Sequence, residues 1–111
     1  MFVLSNKPSY WFKVTVRRPN DESGGWDTFD FMGEFHRRDK QYIKAMFEKG
    51  APGDAKIVES EFIGWKDVKQ PDGSELEVNA SNRTALLAQL GVEASIVRAW
   101  LESSVTGPAK N

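Results

Sequence analysis

A chain of 111 residues can build one domain with its own core but not two of ordinary size. Hydrophobic residues make up 40% and charged residues 28%, with four tryptophans, two tyrosines and seven phenylalanines, the mixture of a folding globular protein and not of a disordered one. A formal net charge of −1 provides no global positive field for a phosphate backbone or an anionic membrane, and zero cysteines exclude disulfides, thiolate nucleophiles and cysteine-based zinc sites.

Met1-Phe-Val-Leu-Ser-Asn-Lys7 lacks the basic start and longer apolar core of a signal peptide. No apolar run approaches the roughly 20 residues of a membrane span, so a soluble, cytoplasmic setting is expected. Tyr10, Phe12, Val14 and Val16 alternate with Trp11, Lys13, Thr15 and Arg17, the period-2 pattern of a strand with one buried face. Pro19 to Gly25 interrupts it with an acidic loop. Phe29 and Phe31 then resume the alternation against Thr28, Asp30 and Met32, so the pair reads as an antiparallel hairpin. Setting Phe12 opposite Phe31 also sets Val14 opposite Phe29 and Lys13 opposite Asp30, with aromatics on one face and a charge pair on the other.

From Asp39 the period becomes helical, with Tyr42, Ile43, Met46 and Phe47 on one side and Gly50 at the stop. A second helix is expected after Ala51-Pro-Gly53, capped by Asp54, with Ile57, Val58 and Phe62 inward, reaching as far as Trp65 and ending at Gly64. Val68 to Val78 carries a Pro71-Asp-Gly73 turn and reads as a small hairpin or an irregular loop. Asn79 or Ser81 caps a third helix bearing Leu86, Leu87 and Leu90, closed by Gly91. A fourth follows with Ile96, Val97, Trp100 and Leu101 on one stripe. The expected fold is therefore α+β: an N-terminal antiparallel β-hairpin packed against about four short α-helices, in one domain spanning 1–105. A mobile tail is expected over 106–111.

Little in this order of residues provides reaction chemistry. His36, the one histidine, sits in Phe35-His-Arg-Arg-Asp39 with no partner at metal or triad spacing, and reads as a surface or helix-entry residue. Asp21 and Glu22, or Asp72, Glu75 and Glu77, lack the spacing of a calcium loop. Gly24-Gly25 and Gly64-Trp65 do not form a phosphate cradle, and no serine lies in a nucleophile elbow. No catalytic, cofactor-binding or metal-binding residue is assigned, and a non-enzymatic role is expected. The candidate partner or self-association surface is Trp11, Trp26 and Met32, on the hairpin face opposite Phe12 and Phe31, unless Phe2 to Leu4 or the last helix covers it. The candidate structural anchors are Phe12, Phe29, Phe31, Trp65, Val68, Leu86, Leu87 and Trp100. Trp65 and Val68 are read as fastening the Pro71 turn to the core.

An ordered pattern runs over most of the chain. Phe12-Lys-Val-Thr-Val16 precedes a polar loop, and Thr28-Phe-Asp-Phe31 leads through Glu34-Phe-His-Arg-Arg-Asp39 into a helix. Then come Ile63-Gly-Trp-Lys-Asp-Val68, Asp72-Gly73, Asn79-Ala-Ser-Asn-Arg-Thr-Ala-Leu-Leu87 and a closing helix. This pattern resembles the tail assembly chaperones of lambda-type long-tailed bacteriophages. The resemblance implies a late factor in the cytoplasm of the infected host cell that is not part of the mature virion. It implies binding to the tape measure protein and recruitment of tail-tube protein through a frameshifted longer form. It also implies homo-oligomers in rings or spirals. The alternative is a small phage nucleic-acid-binding or regulatory protein: the phage setting is implied by the resemblance, and the residues offer an aromatic hairpin with Arg17, Arg18, Arg37 and Arg38 to stack bases and hold phosphates. The near-zero net charge and the missing aromatic-glycine signature of RNA-binding sheets weigh against nucleic acid as a partner.

Overall fold

The computed structural model describes residues 1–107. In chain order the elements are β1 (Ser9–Pro19), β2 (Trp26–His36), α1 (Lys40–Phe47), α2 (Asp54–Glu61), β3 (Phe62–Lys66), α3 (Ala80–Leu87), α4 (Val92–Leu101) and a π-helical turn (Glu102–Thr106). The fold is α+β, with the expected antiparallel hairpin at its start and four helices. Its sheet has three strands, in the order β1-β2-β3. Of the expected tail, Thr106 completes the π-helical turn, Gly107 follows it, and 108–111 lie outside the described residues.

The hairpin pairs in a register displaced by two residues from the expected one. Val14 faces Phe31, Val16 faces Phe29, Thr15 faces Asp30 and Phe12 faces Gly33. A two-residue slip keeps every side chain on its own face, so alternation alone cannot detect it. What distinguishes the registers is the turn. Both strands extend to Pro19 and Trp26, Asn20 N–H donates to Gly25 O at 2.8 Å, and the Asn20 side chain accepts from Glu22 and Ser23 N–H while donating to the Asp27 carboxylate. In this register Gly33 sits under the aromatic layer. A Cβ there would lie 3.1 Å from Phe35 Cε2, 3.1 Å from Val14 Cγ2 and 3.2 Å from Phe62 Cε1, so the missing side chain is what lets these rings approach.

Phe62 to Lys66 is a strand and not the continuation of a helix. The helix expected to run toward Trp65 stops at Glu61, and the chain pairs antiparallel with β2, setting Trp65 opposite Gly33 and Phe62 opposite Phe35. A shift in register between Glu34 and Phe35 marks a bulge. As a strand the segment hydrogen-bonds its backbone to β2 and buries both Phe62 and Trp65. Gly53, not Asp54, is the α2 N-cap. Asp54 opens the first turn, where its charge complements the helix dipole. Asp39, where the helical period begins, caps α1, and Asn79, one of the two expected candidates, caps α3, accepting from Tyr42 N–H at 2.9 Å and Asn82 N–H at 2.8 Å.

The core lies between one face of the sheet and the helices. Val14, Val16, Phe31, Phe35, Phe62 and Trp65 meet Ile57, Val58, Leu86, Ile96, Val97 and Trp100. Aromatic contacts run from Tyr10 to Phe35 (5.8 Å between centroids), Phe35 to Phe62 (5.8 Å) and Phe62 to Trp65 (6.2 Å), and Phe47 stacks on Trp100 at 6.4 Å. Arg83 on α3 reaches across to donate to Phe62 O and Val58 O at 2.6 and 2.8 Å, satisfying carbonyls where α2 gives way to β3. Its guanidinium also lies 5.1 Å from the Phe62 ring centre. Leu90, expected on the apolar stripe of the third helix, lies beyond the end of α3 and is exposed. Gly91 follows at φ 84°, a backbone angle that other residues rarely adopt, and turns the chain into α4.

Candidate partner surface

Helices cover the sheet on one side. The opposite face carries Trp11, Lys13, Thr15 and Arg17 of β1, all exposed, opposite Glu34, Met32, Asp30 and Thr28 of β2. Phe2 to Leu4 do not fold over it, being exposed themselves, and α4 packs on the inner side with the core.

Trp11, Trp26 and Met32 therefore share a face, as alternation implies, but they do not form one patch. Trp11 is paired with Glu34 and Met32 with Lys13, so the two are diagonal neighbours within side-chain reach. Lys66, paired with Met32 from β3, lays its ammonium 4.4 Å from the Trp11 ring centre, and Ser9 Oγ donates to Glu34 Oε2 at 2.7 Å. Gly64 lies beside Glu34, and a Cβ built there would sit 3.3 Å from Glu34 Oε1 and 3.9 Å from the exposed Val78. On this face, then, Trp11, Met32 and Val78 are interleaved with charge: Glu34 stands between Trp11 and the Gly64–Val78 side, and Met32 lies between Lys13 and Lys66.

Trp26 belongs to a second region. It pairs with Pro19 at the far end of the hairpin, eight pairs from Trp11, roughly 27 Å at the usual strand rise. It is 62% exposed, with the Arg17 guanidinium 5.4 Å from its ring centre. On the other face of the same tip, Phe29 is 44% exposed under Arg18, whose guanidinium is 4.6 Å from the ring centre. This corrects the expectation that Phe29 anchors the core. Phe29 faces inward by alternation, but the helices do not reach it. Of the other expected anchors, Phe31, Trp65, Leu86 and Trp100 are buried, while Phe12, Val68 and Leu87 are partly buried against the core. Trp65 fastens the turn segment as expected, its Nε1 donating to Leu76 O at 2.9 Å. The turn closes through Gly73 N–H to Gln70 O and a bridge between Lys69 and Glu75.

One buried carboxylate is not among the residues that the sequence pattern singled out. Glu61 is 0% exposed and receives Arg38 Nε at 2.9 Å and Tyr42 Oη at 3.0 Å, while Arg38 Nη2 also reaches Ser60 O. The bond to Glu61 raises the Arg38 pKa despite partial desolvation. Burial, then the bond to the same carboxylate, raises that of Tyr42. All three groups are engaged with one another, which is the arrangement of a structural tie and leaves no free acid or base facing a cleft. His36 is partly buried at the end of β2, opposite Ser9. Among the described residues, no three of His, Cys, Asp and Glu converge to hold a metal ion, and no helix is long and apolar enough to cross a membrane.

No known family, curated protein or solved structure matches this chain.

Proposed function

We propose that this protein is a non-catalytic assembly chaperone of the lambda-type tail, holding the tape measure protein soluble while tail-tube subunits are recruited. The observation that carries the reading is the uncovered outer sheet face, where the apolar Trp11, Met32 and Val78 are interspersed with Lys13, Glu34 and Lys66. Apolar contact area interspersed with charge suits an amphipathic helical client, and repetition through an oligomer multiplies weak contacts into useful avidity. The ordered sequence pattern from Phe12 to Leu87 directs the choice of client. On this reading the protein works in the infected cytoplasm and leaves before the virion matures. Co-expression with a tape measure protein tests it: the client is expected in the soluble fraction with this chain and in the pellet without it. A client equally soluble alone would overturn the reading.

The hairpin tip favours a second reading, in which Arg17 and Arg18 beside Trp26 and Phe29 stack single-stranded bases. Asp27 and Asp30 on the same segment of β2 oppose a phosphate backbone there. Binding to an oligonucleotide that weakens steeply with salt and is lost on Trp26→Ser would support this alternative.

A further inference from the structure

We propose that Met1–Lys7 is an exchange arm that docks in the groove between α1 and α2 of a second copy of the chain. These residues form neither helix nor strand, and Phe2, Val3 and Leu4 remain 87, 75 and 84% exposed. Single exposed apolar residues are ordinary on protein surfaces, but Met1 to Leu4 are four in succession. The base of the arm is fixed, because Arg37 N–H donates to Pro8 O at 2.8 Å. Beyond that bond the arm stands clear of its own domain, so its own groove does not hold it.

The groove offers a matching surface. Tyr42, Ala45 and Met46 of α1 face Pro52 and Ile57 across a space of about 380 Å³, with the exposed Lys56 as its charged member. A cavity of about 150 Å³ accommodates a benzene ring, so this one has room for two large side chains. In an extended arm Phe2 and Leu4 point the same way, about 7 Å apart. No charged side chain lies between Met1 and Lys7, so Phe2 to Asn6 bring no ionised group into the groove. On the receiving side, α1 buries none of its own residues completely, and Met46 is left partly open to solvent. One arm and one groove per copy permit either reciprocal exchange across a two-fold axis or a head-to-tail series. The proposal concerns self-association alone and stands or falls independently of any tail client.

Sedimentation of the whole chain over a wide concentration range tests it, with two variants at exposed positions that leave the core untouched. Phe2→Ser with Leu4→Ser disables the arm, and Ala45→Arg obstructs the groove. Each is expected to raise the self-association Kd by about tenfold or more, as loss of an interface anchor does, with unchanged circular dichroism and melting. Mixing the two variants is expected to restore association, because one supplies an intact groove and the other an intact arm. A wild-type chain that stays monomeric, association indifferent to either variant, or a mixture that fails to complement would each overturn the proposal.

Discussion

Arg38 and Glu61, 23 residues apart, join the entry of α1 to the last turn of α2, with Nε 2.9 Å from Oε1 of a carboxylate that has no exposure of its own. α1 buries no residue completely and is attached by this tie, the Phe47–Trp100 stack and the partly buried Ile43 and Met46. Arg38→Ala is expected to cost about 3 kcal/mol, at the low end for breaking a buried ion pair, because Tyr42 still donates to the stranded carboxylate. Combining Arg38→Met with Glu61→Leu is expected to recover most of that loss. Urea denaturation of the three proteins measures both effects.

Tyr42 gives the fold a dependence on alkaline pH. Burial, reinforced by the bond to Glu61, raises its folded pKa above the ordinary value of 10.0. A raised pKa means that the folded state keeps the phenolic proton longer than the unfolded chain does. The stabilisation is therefore full below pH ~10 and is lost as pH rises through the folded pKa. The difference in denaturant midpoint between wild type and Tyr42→Phe is expected to hold steady from neutrality to pH ~10 and to shrink above it. A difference that stayed constant at higher pH would contradict the assignment.

Trp65 combines a buried ring with a bonded indole. Trp65→Ala is expected to cost about 3–5 kcal/mol by thermal or chemical denaturation, the range for emptying an aromatic site in a core. Trp65→Phe keeps most of the packing and loses the bond to Leu76 O, so a smaller loss, about 1–2 kcal/mol, is expected.

At Gly33 the constraint is space. Gly33→Ala puts a methyl against Phe35, Val14 and Phe62 at once, and overpacking of this kind costs about 1–3 kcal/mol. Gly25→Ala, whose added Cβ meets only Ser23 Oγ at an ordinary 3.5 Å, is the control and is expected to be near neutral.

Trp11→Ser and Trp26→Ser separate surface from core. Both rings are exposed, and each loses a cation–π contact with Lys66 or Arg17, so a stability change under about 1 kcal/mol is expected for either. On the chaperone reading, Trp11→Ser sharply reduces the amount of client kept soluble. Trp26→Ser has the smaller effect, since its ring stands about 27 Å along the hairpin. Matched melting curves beside a pull-down with the client check both parts.

The amino-acid order determined whatever depends on near neighbours. Alternation from Tyr10 to Arg17 assigned each side chain to its face of β1, Asp39 and Asn79 marked two helix starts, and composition set one apolar core without thiol chemistry. Even Glu61 left a trace, lying four residues after Ile57 and therefore on the buried stripe of α2. The tertiary structure decided what depends on distant partners. Two hairpin registers satisfy the same alternation, and the turn at Asn20 selects between them. Phe62 to Lys66 can bury its aromatics as helix or as strand, and only the open side of β2 decides for a strand. Phe29 has the pattern of a core residue and stays about half-exposed because the hairpin outruns the helices that would cover it. Periodicity records which way a side chain points, and burial depends on what the rest of the chain brings to meet it.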